Sequence, residues 1–376
     1  MEGKTTSKAK NLKEVASLFF KLGSIAFGGP AAHIAMMEDE VVKKRKWMTH
    51  QHFLDLVGAT NLIPGPNSTE MTMHCGHERA GWKGLIVAGS CFVFPAVVIT
   101  MVFAWLYQQY GQLPKVEPFI YGIKPAVIAI ILGAVYRLGK KALKNVTLGI
   151  LGVLTLIVSL LGVHEILALF ACGVLGLVLH FVQSAKNTVY GFAPYVLLQA
   201  ATSPSTLKIL WIFFKVGALL YGSGYVLFAY LDAELVTTGL LTRQELMDAV
   251  AVGQFTPGPV LSTATFIGWQ LGGFFGAIAA TVGIFLPSFV FVAILNPLVP
   301  KMRKSKVIAA FLDAVNIAAV AVIVAVCVEM GKDTLTDWRT ISIAVISLTA
   351  VFAFKKVNSA FIVVGGALAG YLLFLL

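Results

Sequence analysis

The sequence predicts an all-α polytopic membrane protein: two inverted-topology repeats, each of about five transmembrane helices plus a re-entrant Pro-Gly-Pro hairpin. Three observations lead there. The 376 residues are 58% hydrophobic and only 12% charged, whereas a soluble domain carries about 25% charged residues. Apolar stretches recur along the chain, most near the roughly 20 residues that cross the hydrocarbon core. Helix-breaking residues fall at matching places in two halves of the chain, roughly 190 residues apart.

Residues 1–13 are polar and Lys-rich. The first apolar segment is interrupted by Lys21 and lacks a small-residue cleavage site, so it reads as a membrane helix and not a signal peptide. Gly28-Gly29-Pro30 breaks it. Segment 51–78 lies between two basic loops, 38–50 and 79–83. Its arms, 53–63 and 67–77, are each too short to span. They are expected to enter the membrane and return, with the tip at Pro64-Gly65-Pro66. Apolar spans follow at 85–107, 117–138, 145–163 and 166–182.

After a Gly/Pro/Ser-containing stretch the order recurs. Segment 209–231 is broken at Gly222-Ser223-Gly224, a hairpin turns at Pro257-Gly258-Pro259, and spans follow at 275–300, 307–328, 340–354 and 357–376. The organisation is therefore a first repeat at 1–185, a linker at 186–206 and a second repeat at 207–376. Phe19-Phe20-Lys21 matches Phe213-Phe214-Lys215, and Glu38 and Glu40 match Asp232 and Glu234. Asp55 matches Asp248; Gly76, Gly81 and Gly84 match Gly268, Gly273 and Gly276; Phe94-Pro95 matches Leu286-Pro287.

Loop charge sets the relative orientation. Lys43, Lys44, Arg45 and Lys46 crowd one loop of the first copy, and its counterpart, 232–245, has only Arg243. Two loops on, the bias reverses, with Lys115 alone against Lys301, Arg303, Lys304 and Lys306. Basic loops face the cytoplasm, so the copies are expected in opposite orientations. Lys4, Lys8, Lys10 and Lys13 favour a cytoplasmic N-terminus, which five crossings per repeat do not give. The net charge of +11 is spread over such short clusters, which speaks against nucleic acid as a partner. Cys75, Cys91, Cys172 and Cys327 lie in apolar segments without C-x-x-C spacing and read as free thiols.

A half-helix N-terminus offers unpaired N–H groups and partial positive charge to an anion. Pro66-Asn67-Ser68-Thr69 reads as one such start, and Pro259 with Ser262 as the other. The candidate substrate-binding residues are Lys21, Gly28, Gly29, Asn61, Pro64, Gly65, Asn67, Ser68, Thr69, Lys215, Gly222, Gln254, Gly258 and Ser262. Lys21 and Lys215 qualify because a charge inside a membrane segment is costly unless used; the bland alternative is snorkelling to the interface. Glu70, His33 and His74 are proton-coupling candidates, set against a purely structural role. His74, Cys75 and His77 lack a further ligand at a convincing spacing, so no metal is expected. No cofactor is expected either, and no phosphate-cradling G-x-x-x-x-G-K-[ST] loop occurs.

The stretches Phe27-Gly28-Gly29-Pro30, Asn61 through Glu70, Gly253 through Pro259 and Ala264 through Gly268 closely resemble the chromate ion transporter family in its two-domain form. The resemblance covers almost the whole chain. It implies a plasma-membrane exporter of chromate with oppositely oriented halves. Tyr221-Gly222-Ser223-Gly224 departs from the family's Phe-Gly-Gly pattern. Sulfate has the same charge and shape, so import or exchange of sulfate or another oxyanion stays open. A rival of another class is a membrane-embedded enzyme acting on an anionic lipid headgroup, with His33, Glu70, His74 and Glu78 as acid and base. The expected partners are a chromate- or sulfate-like oxyanion and the lipid bilayer; a homodimer is compatible with the sequence.

Overall fold

The computed structural model describes residues 2–27, 29–60, 62–111, 113, 116–184, 205–221, 224, 226–295, 305–354 and 358–374. Among these residues all regular structure is helical. The first half runs α1 (Glu2–Ile25), α2 (Gly29–Glu38), α3 (His50–Thr60), α4 (Asn67–Tyr110), α5 (Glu117–Ala142), α6 (Val146–Leu160) and α7 (Glu165–Ser184). The second half repeats that order as α8 (Thr206–Leu219), α9 (Val226–Leu231), α10 (Arg243–Phe255), α11 (Thr263–Leu295), α12 (Lys306–Thr334), α13 (Trp338–Ala353) and α14 (Ser359–Phe374).

Matching residues punctuate both halves. Helices α2 and α9 each run on into a π-helical turn, Asp39–Lys44 and Asp232–Val236. The basic stretch that the sequence placed in a loop is thus helical through Lys44. Asn145 and Asp337 cap α6 and α13, accepting the amides of Leu148 and Thr340. Both α4 and α11 break near one end, at Ala80-Gly81 and Gly272-Gly273. There the chain turns back on itself. Gly76 faces the Gly84 carbonyl and Gly268 the Gly276 carbonyl so closely that a Cβ would strike backbone. In the second copy the Thr265 and Thr281 hydroxyls meet at 2.8 Å across the same fold. The repeated glycines therefore let a short limb lie back along the long limb that follows it.

Among the described residues, four helices are long and apolar enough to cross a membrane by themselves: α4, α5, α11 and α12. The α6, α13 and α14 helices have 15, 16 and 16 residues. At 1.5 Å per residue they fall short of the roughly 30 Å hydrocarbon core. Read from the sequence, each of these stretches matches a full crossing; the caps at the ends of α6 and α13 trim those two.

The halves interlock. Helix α1 lies along the long limb of α4, and α8 along that of α11. Gly23 is pressed on the Phe92 carbonyl and Gly217 on the Ile284 carbonyl at matching points. The two long limbs also pack on each other. Helix α5 packs against α13 and α14 of the other half, while α12 packs against α6 and α7. Small residues make these crossings close, with Gly122 on Gly366 and Gly370, and Gly176 on Ala314. The outer faces carry exposed Trp82, Phe94, Trp105, Phe275 and Ile346, as a lipid-facing surface does.

Candidate functional site

The two Pro-Gly-Pro turns, the tips of the expected hairpins, each meet the end of a helix in the opposite half. Residues Pro64 to Pro66 and Thr256 to Pro259 are all buried. Gly65 has φ +142° and Gly258 φ +89°, values that side chains rarely tolerate. The Gly65 amide donates to the Leu220 carbonyl at 2.7 Å, and the Gly258 amide to the Ala26 carbonyl at 2.8 Å. Leu220 ends α8 and Ala26 ends α1, each just before its glycine-rich break. A helix end leaves carbonyls without partners. Here the opposite half supplies the missing donor, and it does so twice.

Helix α4 starts at Asn67, with Pro66 at the N-cap position and no side-chain cap. Ser68, Thr69 and Glu70 in its first turn are completely enclosed. The Glu70 carboxyl sits against the Ser288 hydroxyl of α11. A Cβ on Gly65 would collide with both groups, so tip, acid and hydroxyl share one point. Tyr221 directly follows Leu220, the residue whose carbonyl accepts from the Gly65 amide. Among the described residues, neither oxygen of Glu70, nor the Ser288 or Thr69 hydroxyl, has a partner in hydrogen-bond geometry. Burying such groups unpaired is expensive.

At the second tip the surroundings differ. A Cβ on Gly258 would meet the Ala96 methyl at 2.9 Å and the Gly23 carbonyl at 3.2 Å. A 3₁₀ turn, Val260–Ser262, precedes α11, and the Thr263 hydroxyl is used on the Val260 carbonyl at 2.8 Å. Gln254 and Ser262 are buried, with Gln254 Nε2 and the Ser262 hydroxyl lacking a partner among the described residues. His33 belongs to this end: its Nε2 is 3.1 Å from the Ala26 carbonyl, and its ring stands edge-on to Phe92. His74 lies one turn beyond Glu70 and is buried.

The duplicated lysines have duplicated acids. Lys21 Nζ is 3.8 Å from Glu40, and Lys215 Nζ is 2.7 Å from Glu234. Lys21 is largely exposed, at 59%, against 34% for Lys215. Glu40 also pairs with Lys44 and Arg45. Burial raises the Glu40 carboxyl, but hydrogen bonds from Lys44 and Arg45 hold it below the usual range. The repeat alignment had matched Glu40 with Glu234 without assigning them to the lysines. Gly29 opens α2 with φ +78°. Gly28, Asn61 and Gly222 lie outside the described residues.

Residues that the sequence reading missed gather here as well. Ser288 comes from the other half and nothing local marks it, and Tyr221 stands out in the sequence only as a departure from the family's Phe-Gly-Gly pattern. A further network joins Asp248 of α10 to Tyr107, whose hydroxyl donates at 2.6 Å, and to Lys124 at 3.5 Å. Asp248 and Tyr107 line a cavity of about 400 Å³ whose other walls include Phe103, Phe119, Phe255 and Val363. The only sequence signal was the alignment of Asp248 with Asp55.

Known proteins match along this same duplication. A family model described as chromate transporter matches residues 13–177 and again 207–371. The chain is 30% identical to a "Chromate transport protein" of Cupriavidus metallidurans, covering 97% of this chain and 94% of that one. It is also 30% identical to a "Probable chromate transport protein" of Synechococcus elongatus, covering 96% and 95% of the two chains. A "Chromate transport protein" of Pseudomonas aeruginosa is 29% identical over 95% and 91%. No solved structure matches the chain.

Proposed function

We propose, from the premise that this chain belongs to the chromate transporter family, that it exports a tetrahedral oxyanion, with chromate the first candidate. The two tips, with buried polar groups that have no partner among the described residues, carry this reading. Broken backbone is tolerated at membrane depth only where protein or a wet cavity surrounds it, and transporters place substrate there. Potential favours the direction. Each charge crossing 100 mV is worth about 2.3 kcal/mol, so an inside-negative membrane drives a dianion outward with about 4.6 kcal/mol. Export therefore needs no nucleotide.

In this reading Gly65, Ser68, Thr69, Gln254, Gly258 and Ser262 border the substrate path at the tips. Gly29, Pro64 and Asn67 shape the backbone around them. Glu70, His33 and His74 are the groups available to carry a proton. Lys21 and Lys215 contribute positive potential, each tempered by its glutamate. With the tips buried and hydrogen-bonded across the halves, the site is closed. Transport requires the Gly65–Leu220 and Gly258–Ala26 contacts to open and reform.

Purified protein in liposomes tests this. Chromate efflux should accelerate as the compartment holding chromate is made more negative. Uptake driven only by a sulfate gradient, with chromate neither moved nor competing, would overturn the chromate assignment and leave a sulfate carrier.

A further inference from the structure

Backbone symmetry between the tips is close, but side-chain symmetry is not. Each tip glycine bonds to the opposite break, and each faces the residue after the long limb's proline, Ser288 or Ala96. The first tip lies against Glu70 and Ser288, and Tyr221 directly follows Leu220, whose carbonyl accepts from the tip amide. The matching positions at the second are Thr263, Ala96 and Phe27. The Thr263 hydroxyl is already spent on its own turn. Glu70 and Ser288 are wholly buried, and their oxygens have no hydrogen-bonded partner among the described residues.

We propose that the chain holds one anion site and not two, at the first tip, where Ser288 and Tyr221 of the second half join Glu70 to bind an oxyanion together with one proton. The proposal rests on the oxyanion reading above and narrows it. A charged carboxylate beside a dianion in a site shut off from water would repel it strongly. A protonated Glu70 instead offers an O–H donor. Ser288 and Tyr221 offer two more, and hydrogen bonds to a charged group are the stronger kind. Enclosed away from water Glu70 is neutral; it gives up its proton when the site opens to water and regains it as the site closes on the anion. Tyr221 at the end of α8, Tyr230 on α9 beside Tyr221, and His74 one turn along α4 are the other titratable groups near this point. The second tip, where Ala96 faces Gly258 and Phe27 follows Ala26, acts as a hinge.

The test uses the full-length protein in detergent and in liposomes, with radiolabelled sulfate and with chromate as probes. A pH-indicator dye in weak buffer reads proton uptake on binding. The wild-type protein should take up about one proton per anion bound. Glu70→Gln should bind without proton uptake. Ser288→Ala and Tyr221→Phe should each weaken binding about tenfold, and Ser288→Thr should restore part of the loss. The mirror-image additions, Ala96→Ser and Phe27→Tyr, should stay within about twofold of wild type. Ser288→Ala and Tyr221→Phe each remove a single hydroxyl, so they carry the test even if Glu70→Gln does not fold. Equal binding by these two variants and wild type, or unchanged proton uptake in Glu70→Gln, overturns the single-site assignment. Binding of neither probe by the wild-type protein defeats the oxyanion reading itself, and this inference with it.

Discussion

The amide of Gly65 donates to the carbonyl of Leu220 at 2.7 Å, joining the tip of one half to the broken helix of the other. Its mirror image, Gly258 to Ala26, is 2.8 Å long. The tips are therefore not loose loops within their own repeats. They are the donors that complete the opposite repeat's interrupted helix, and any motion that opens one half disturbs the other.

A side chain at either tip should stop transport without preventing insertion. Leu at Gly65 meets the Glu70 carboxyl and the Ser288 hydroxyl, and Leu at Gly258 meets the Ala96 methyl. Both also force a backbone conformation that L residues avoid. Gly65→Leu and Gly258→Leu are expected to reach the membrane at near-normal levels and to lose most chromate efflux. Normal rate and affinity in both variants would show that the tips are inert kinks.

The lysine–glutamate pairs should be unequal. Lys21 is the more exposed, and Glu40 keeps Lys44 and Arg45 if Lys21 is lost. Lys215→Gln takes away the one ion-pair partner described for Glu234. It is expected to lower transport and thermal stability more than Lys21→Gln, by about 1–3 kcal/mol in stability. Adding Glu234→Gln should recover stability but not anion affinity, whereas Lys215→Arg should keep part of both. Thermal unfolding in detergent alongside anion binding separates the effects. Full recovery of affinity in the double variant would assign the pair to structure alone.

Segment 232–245 should lie on the side of the membrane opposite to 38–50. The motive is the reversal of Lys/Arg bias between the copies. Single cysteines placed in each segment of a cysteine-free background, probed with a membrane-impermeant thiol reagent, provide the check. Labelling of both from the same side would rule out inversion.

Asp248, Lys124 and Tyr107 should behave as one unit. Removing one member of a buried pair leaves an uncompensated charge, at a cost of about 3–5 kcal/mol. Asp248→Asn and Lys124→Met are each expected to lower the unfolding temperature sharply, and the double variant to lose less than the sum. A double-mutant cycle in detergent measures the coupling; strict additivity would mean the two side chains do not interact.

The cap of α13 should give an acid-sensitive increment of stability. The Tyr121 hydroxyl and the Thr340 amide hold the Asp337 carboxyl below its usual value of 3.8. A depressed folded-state value stabilises above the ordinary one, and the benefit disappears as pH falls through the depressed one. Asp337→Ala should cost about 1 kcal/mol at neutral pH through the lost cap. Asp337→Asn should keep much of the cap while flattening the acid limb of stability against pH. Unfolding temperatures from pH 7 down to pH 3 test both variants.

By itself the sequence determined the fold class, the duplication and the places where helices break. Those depend on local chemistry: apolar runs long enough for a bilayer, Pro and Gly that end helices, and glycines repeated at Gly76, Gly84, Gly268 and Gly276. It also exposed Lys21 and Lys215, because a charge within an apolar run is visible without coordinates. Tertiary structure decided which groups those features meet. Glu40 and Glu234 answer the lysines, Leu220 and Ala26 accept from the opposite tips, and Ser288 stands against Glu70 more than 200 residues away in the chain. Nothing in a linear pattern specifies such partners. They follow from how α5 and α12 thread into the opposite halves, a choice made by the packing of small residues across the whole molecule and not by any one segment.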